Sequence, residues 1–194
     1  LHLGRPLGAW RAVLGLRTSW LSREIVVFGV FAGLAMLDAG RSWLGPWLAF
    51  NSPATANAVA LAGLLGVFCS VMIYHDTRRL YWRALPVALK FYGTAALLGT
   101  GAVLFVTTLQ ALLSPAITGP GAYGELTMFL CGVLVAVSAL KLGGEIAFFR
   151  HLRGAGNSGL RPSAALLAGE LAELTTARFL LGLVGGVLLP AAFI

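Results

Sequence analysis

Two residues near the start of the chain, His2 and Glu24, have types and surroundings suited to moving protons. His2 lies in His-Leu-Gly-Arg-Pro, just ahead of a basic segment, and Glu24 closes Ser-Trp-Leu-Ser-Arg-Glu at the entry to an apolar run. An imidazole titrates naturally near neutrality. A carboxylate at the mouth of an apolar helix feels two opposing effects: partial desolvation favours its protonated form, and the positive end of the helix dipole favours its ionised form. A two-electron carrier such as a quinol releases two protons when oxidised, and a His and a Glu at a membrane edge could accept them in turn. The plainer reading is that Glu24 pairs with Arg17 or Arg23.

Other candidates for chemistry are few. Lys141 and Glu145 sit four apart inside an apolar run, where charge is costly and functional by default; an ion pair on one helical face is the simplest expectation, with a proton path as the alternative. Asp38 and Arg41, three apart, are expected to pair near the far end of another run. The remaining histidines, His75 and His151, flank apolar runs instead of occupying their centres, so a b-type haem, which needs two histidines at matching depth, is not expected. Cys69 and Cys131 lie inside apolar runs with no C-x-x-C spacing, which argues against zinc or iron–sulfur ligation and for packing. No metal site and no catalytic residue is assigned, and nothing points to nucleic acid.

These residues must be positioned by membrane helices. Of 194 residues, 58% are hydrophobic and only 11% are charged, with a mean hydropathy of +0.87. A soluble domain carries about a quarter charged residues, and so apolar a soluble surface would aggregate. A bilayer core takes roughly 20 apolar residues in helix. Five such runs are legible, at about 24–43, 56–74, 85–113, 126–149 and 174–194, and predict an all-α, polytopic transmembrane helix bundle forming one transmembrane domain over 1–194. Residues 162–178, with Glu170 and Glu173 three apart, read either as an amphipathic helix on the membrane surface or as the beginning of the last span. Trp20, Trp43, Trp47, Tyr74, Tyr81 and Trp82 cluster at span ends, as interfacial anchors do.

The 14 basic residues support this count. Arg5, Arg11, Arg17 and Arg23 precede the first run; Arg78, Arg79, Arg83 and Lys90 fall between the second and third; Arg150, Arg153, Arg161 and Arg178 fall between the fourth and fifth. Five spans place these twelve on one face, with only Arg41 on the opposite face and Lys141 within a span, and the positive-inside rule makes the basic face cytoplasmic. A basic face also suits docking of an acidic partner. Residues 1–24 alternate Arg with apolar and Trp residues and lack the apolar core of a signal peptide. The opening Leu1 and the apolar ending Leu-Leu-Pro-Ala-Ala-Phe-Ile lead us to expect a piece of a longer chain.

His2-Leu-Gly-Arg-Pro, Trp10-Arg-Ala and Ser19-Trp-Leu-Ser-Arg-Glu24, with the later Cys69-Ser-Val-Met-Ile-Tyr-His-Asp-Thr-Arg79, resemble the membrane anchor subunits of the dimethyl sulfoxide reductase family, which includes the anchor of quinone-dependent sulfite dehydrogenase. The resemblance covers most of the chain and is sharpest over residues 2–24 and 66–82. It implies an eight-helix anchor without haem, of which the runs here would be the third to seventh, in the bacterial inner membrane. It implies binding of menaquinol or ubiquinone and electron exchange with an iron–sulfur subunit, which connects to a molybdopterin catalytic subunit. The family's quinol-site histidine and glutamate fall on His2 and Glu24, with Arg5 and Arg23 as weaker candidates. The chain would then be a redox subunit with no catalytic centre of its own. The competing readings are a purely structural anchor and, with less support, a small-solute transporter.

Overall fold

The computed structural model describes residues 10–11, 14–44, 53–79, 82–113, 124–149 and 161–194, with the backbone alone for 41–44, 161 and 163. The described residues form helices and turns, without strands. Helix α1 spans Trp20–Leu44, α2 Pro53–Asp76, α3 Ala84–Leu113, α4 Gly124–Phe148, α5 Arg161–Ala168 and α6 Ala172–Leu183; α6 continues through a π-helical turn, Val184–Leu188, into the short α7, Leu189–Ala191. Five stretches are long and apolar enough to cross a membrane: Trp20–Gly40, Pro53–Asp76, Ala84–Leu113, Gly124–Phe148 and Ala172–Ala191. The protein is an all-α, multi-pass helix bundle.

The helix boundaries follow local chemistry. Ser19 caps α1, its hydroxyl accepting from the Ser22 amide at 3.4 Å. Pro53 opens α2, where a missing N–H costs nothing. Beyond Asp76 the chain turns through Arg78, whose φ of 53° lies in the left-handed region and ends the helix. Pro86 falls in the first turn of α3, before the intrahelical ladder needs its amide.

The chain divides into two compact units, residues 1–91 and 92–194, with the division inside α3. In the first, α1 and α2 pack antiparallel. Glu24 meets Ser70, the Phe28 ring lies over Gly66, Phe31 lies over Gly63, and Asp38 accepts from Thr55 at 3.0 Å, so contacts climb α1 as they descend α2. The buried residues of α2 are small: Ala62, Gly66, Cys69, Ser70 and Val71. Ala62, Gly66 and Ser70 recur every four residues and form one stripe, which lets the helix backbones approach. Large side chains such as Leu61, Leu64, Leu65 and Phe68 stay exposed. That inside-out division of size suits a lipid solvent, in which burying Leu gains little and close backbone packing gains more.

The second unit uses the same device. Going up α4, Ser138 meets Gly186, Leu142 meets Gly182, and Glu145 meets Arg178, so α4 and the last span are antiparallel. The π-helical turn has a local cause. Pro190 has no amide to donate and its ring would crowd the carbonyl four residues earlier in a regular α-helix. The turn instead lets the Leu189 amide bond back to the Val184 carbonyl, five residues away. Gly186 within it leaves room for Ser138 of α4.

Residues 162–178 divide between two helices: α5 ends at Ala168 and the last apolar stretch begins at Ala172. Gly169 donates to Ala165 at 2.8 Å and Leu171 to Leu166 at 3.0 Å, closing α5, and α6 restarts at Ala172. Thr175 ties the two together by donating from its hydroxyl to the Leu167 carbonyl at 3.0 Å.

Candidate functional site

Glu24 lies four residues, about 6 Å of rise, inside α1. Because α1 and α2 are antiparallel, this is also where α2 ends, so Arg17, Trp20, Arg23, Tyr74, His75, Arg78 and Arg79 gather at one end of the helix pair. The site is therefore at a basic, aromatic-rimmed membrane edge. Glu24 is half-buried, facing α2.

Its partner is Ser70, whose hydroxyl donates to Glu24 Oε1. Ser70 is 7% exposed, and the same hydroxyl lies 3.3 Å from the Gly66 carbonyl of its own helix. A hydroxyl has one proton to give and lone pairs to accept. Ser70 can therefore donate to an ionised Glu24, or accept from a protonated Glu24 while donating to Gly66. Both protonation states keep a satisfied hydrogen-bond partner, which a carboxylate at a membrane edge needs if it is to exchange protons without being expelled toward water.

The expected pairing of Glu24 with Arg17 or Arg23 is not formed among the described residues. Arg23 turns back along the chain: Nε donates to the Leu16 carbonyl at 2.8 Å, Nη2 donates to the Arg17 carbonyl at 3.0 Å, and the guanidinium lies 4.2 Å from the Trp20 ring centre. Trp20 in turn meets Phe68 of α2 edge-on at 5.9 Å. Arg23 thus fastens the approach to α1 against the helix, and Ser70, across the seam, takes the place expected of an arginine. A reading of one segment had no means of seeing this. The one signal for Ser70 is its place at the end of the Ala62–Gly66–Ser70 spacing, which marks a packed face without naming its partner. His2 and Arg5 lie outside the described residues.

The charges inside the second unit also pair differently from expectation. Lys141 and Glu145 share a helical face but turn to different neighbours. Glu145 Oε2 takes Arg178 Nη2 of α6 at 2.8 Å, and Lys141 Nζ donates to Thr94 Oγ1 of α3 at 2.7 Å. A guanidinium presented across the α4–α6 seam, with several donors fixed in one plane, outcompetes an ammonium one turn away on a flexible stem. The expected Asp38–Arg41 pair falls on Arg41, whose side chain is not among those described; Asp38 accepts from Thr55. Cys69 and Cys131 are free and buried.

A multi-pass helix bundle with a hydrogen-bonded carboxylate among basic and aromatic residues at one end of a helix pair marks a membrane protein with a candidate site at Glu24. A family model described as the DMSO reductase anchor subunit (DmsC) matches residues 1–189, and the chain belongs to that family of oxidoreductase membrane anchors. It is 34% identical over 83 residues to a sulfite dehydrogenase subunit of Allochromatium vinosum; the match covers 41% of this chain and spans 26% of that protein's length. No solved structure matches the chain.

Proposed function

We propose that this chain is the quinone-reactive anchor of a molybdopterin oxidoreductase, exchanging two electrons between a membrane quinone and an iron–sulfur partner subunit. The observation that carries the reading is the Ser70–Glu24 hydrogen bond, which holds a carboxylate ready for proton exchange near the basic end of the α1–α2 pair. The residues present fit a quinol: a proton acceptor stands at the membrane edge, the Trp20 and Phe68 rings, near Glu24 and Ser70 in sequence, meet edge-on across the seam, and Gly66 has no side chain of its own beneath Phe28.

A quinol supplies two electrons and two protons when it is oxidised. Glu24 takes up one proton: at Oε2 it leaves Oε1 accepting from Ser70, and at Oε1 it donates to Ser70, which turns its own proton to the Gly66 carbonyl, so the carboxyl stays held in place either way. His2 accepts the second, and Arg5 is the further candidate contact on its side. Arg23 keeps the preceding segment folded against the start of α1. An iron–sulfur subunit docked on the basic face would receive the electrons, and a site at the aqueous edge would shorten their path to a partner that does not enter the bilayer. The positive-inside rule sets that face toward the cytoplasm of a bacterial inner membrane. The menaquinol or ubiquinone of the membrane is the carrier, and iron–sulfur clusters and molybdopterin belong to the partners.

The test is Glu24→Gln and His2→Ala in the assembled complex. Each lowers quinone-linked turnover at least about tenfold, a loss of roughly 1.4 kcal/mol in transition-state stabilisation. Activity with a soluble artificial donor or acceptor survives, because the partner subunits are intact. Normal assembly with undiminished quinone-linked activity in both variants makes the chain a purely structural anchor.

A further inference from the structure

An open groove of about 780 Å³ lies against the end of α2 and the start of α3, with neither Ser70 nor Glu24 among its lining residues. Its walls carry three guanidinium groups, from Arg78, Arg79 and Arg83, together with His75 and Trp82, against one carboxylate, Asp76. The turn is held by its own hydrogen bonds. Thr77 donates through both amide and hydroxyl to the Tyr74 carbonyl, at 3.2 and 2.7 Å, and Arg78 donates to the His75 carbonyl at 3.1 Å. Trp82 donates to the Arg79 carbonyl at 2.9 Å. Trp82 also meets Tyr74 edge-on at 5.1 Å and carries the Arg79 guanidinium 4.9 Å above its ring. Arg78 occupies the left-handed region, uncommon for a residue with a side chain, just beyond the end of α2.

Among the described residues no carboxylate forms an ion pair with any of the three arginines. Three cations held this close repel one another, and an anion between them removes that cost. Guanidinium groups match phosphate oxygens in bidentate geometry. The position of the groove selects among phosphates. It lies between the last turn of one membrane-spanning helix and the first turn of the next, at headgroup depth. Below it, α3 presents Leu85 and Leu89, one turn apart on one face and 71% and 54% exposed. A soluble phosphate has no use for an apolar track beneath its site, and neither has an acidic protein segment. A phospholipid has: its phosphodiester fits the arginines and its acyl chains run down the leucines.

We infer that the His75–Pro86 groove is a binding site for an anionic phospholipid, phosphate among Arg78, Arg79 and Arg83 and acyl chains along Leu85 and Leu89. The site shares the basic rim of His75, Arg78 and Arg79 with the Ser70–Glu24 seam but uses neither Ser70 nor Glu24, and it does not depend on their function.

The experiment uses the intact complex in neutral detergent, stripped of lipid and titrated with phosphatidylglycerol or with phosphatidylcholine of the same acyl chains. Bound lipid is counted by native mass spectrometry. Phosphatidylglycerol is retained at least about tenfold more tightly, since each basic residue near a headgroup adds to the attraction. Arg78→Gln with Arg83→Gln abolishes that preference. Leu89→Asn weakens both lipids and leaves the ratio unchanged, so it reads the acyl track even if the arginine variant assembles poorly. Equal retention of the two lipids overturns the inference, as does displacement of phosphatidylglycerol by millimolar inorganic phosphate, which would mark a free-anion site. Retention of phosphatidylglycerol only after the partner subunits are removed overturns it too, because the groove would then be a protein-docking surface.

Discussion

Removal of a single oxygen atom tests the α1–α2 seam. Ser70→Ala keeps the Cβ that packs in the small-residue stripe and deletes only the hydroxyl that donates to Glu24. Hydrogen bonds to charged groups contribute about 1.5–3 kcal/mol in soluble proteins, whereas interhelical ones in membranes average about 0.6 and reach about 1.7 kcal/mol. Ser70 is almost fully buried and Glu24 only half so, so other groups can replace the donor in part. The lower scale therefore applies, at its upper half: about 1–1.7 kcal/mol. If the bond holds the carboxylate where the proton must arrive, quinone-linked turnover falls about five- to twentyfold. Ser70→Cys, with a weak S–H donor of similar size, falls between serine and alanine. The assay compares, in the same membranes, quinol-driven turnover with turnover from a soluble donor to the partner subunits, each normalised to assembled complex. Full quinol-driven activity in Ser70→Ala alongside an impaired Glu24→Gln refutes a positioning role for the hydroxyl. An equal loss in both assays refutes the whole argument, because the defect would then lie in assembly.

Other perturbations probe the second unit and the topology. A Cβ at Gly186 would collide with Ser138 Oγ and lie 2.9 Å from Ser138 Cβ, so Gly186→Ala destabilises the protein in detergent by about 1–3 kcal/mol, and adding Ser138→Gly restores most of the loss; no rescue in thermal unfolding would show that the two helices are not in this register. Glu145→Gln changes stability by less than about 1 kcal/mol, because the Arg178 side chain is 56% exposed and water or headgroups can replace its partner; a larger loss by the same measurement would mean the pair is more deeply desolvated than its geometry indicates. Helix α3 has 30 residues, about 45 Å of helix, enough to cross the bilayer. Cysteines placed at Arg79 and Gly119 should accordingly react with an impermeant reagent from opposite sides, although residues 114–123 lie outside those described; labelling of both from one side would sink the five-span topology.

The membrane class and the number of apolar runs were legible because they depend on local quantities. Twenty apolar residues in a row need no tertiary partner to declare themselves. Glu24 was legible as a candidate for the same reason: a carboxylate at the mouth of an apolar helix stands out against its neighbours. What the carboxylate touches was not legible. Its partner, Ser70, is 46 residues away in sequence, on a helix that is apolar on every side, where hydropathy cannot tell a lipid face from a helix seam.

The same limit explains the misassigned charges. Lys141 and Glu145 are adjacent on their own helix, and a single-helix reading pairs them. The chain pairs them instead with Thr94 and Arg178, because in a bundle each side chain meets whichever helix lies beyond it. In a membrane protein the sequence by itself determines which segments enter the bilayer, since that is a one-dimensional transfer from water to lipid. Only the tertiary structure decides which polar groups meet inside it, since lipid offers them no alternative partner and the packing of small residues such as Gly66 and Gly186 sets which neighbours come within reach.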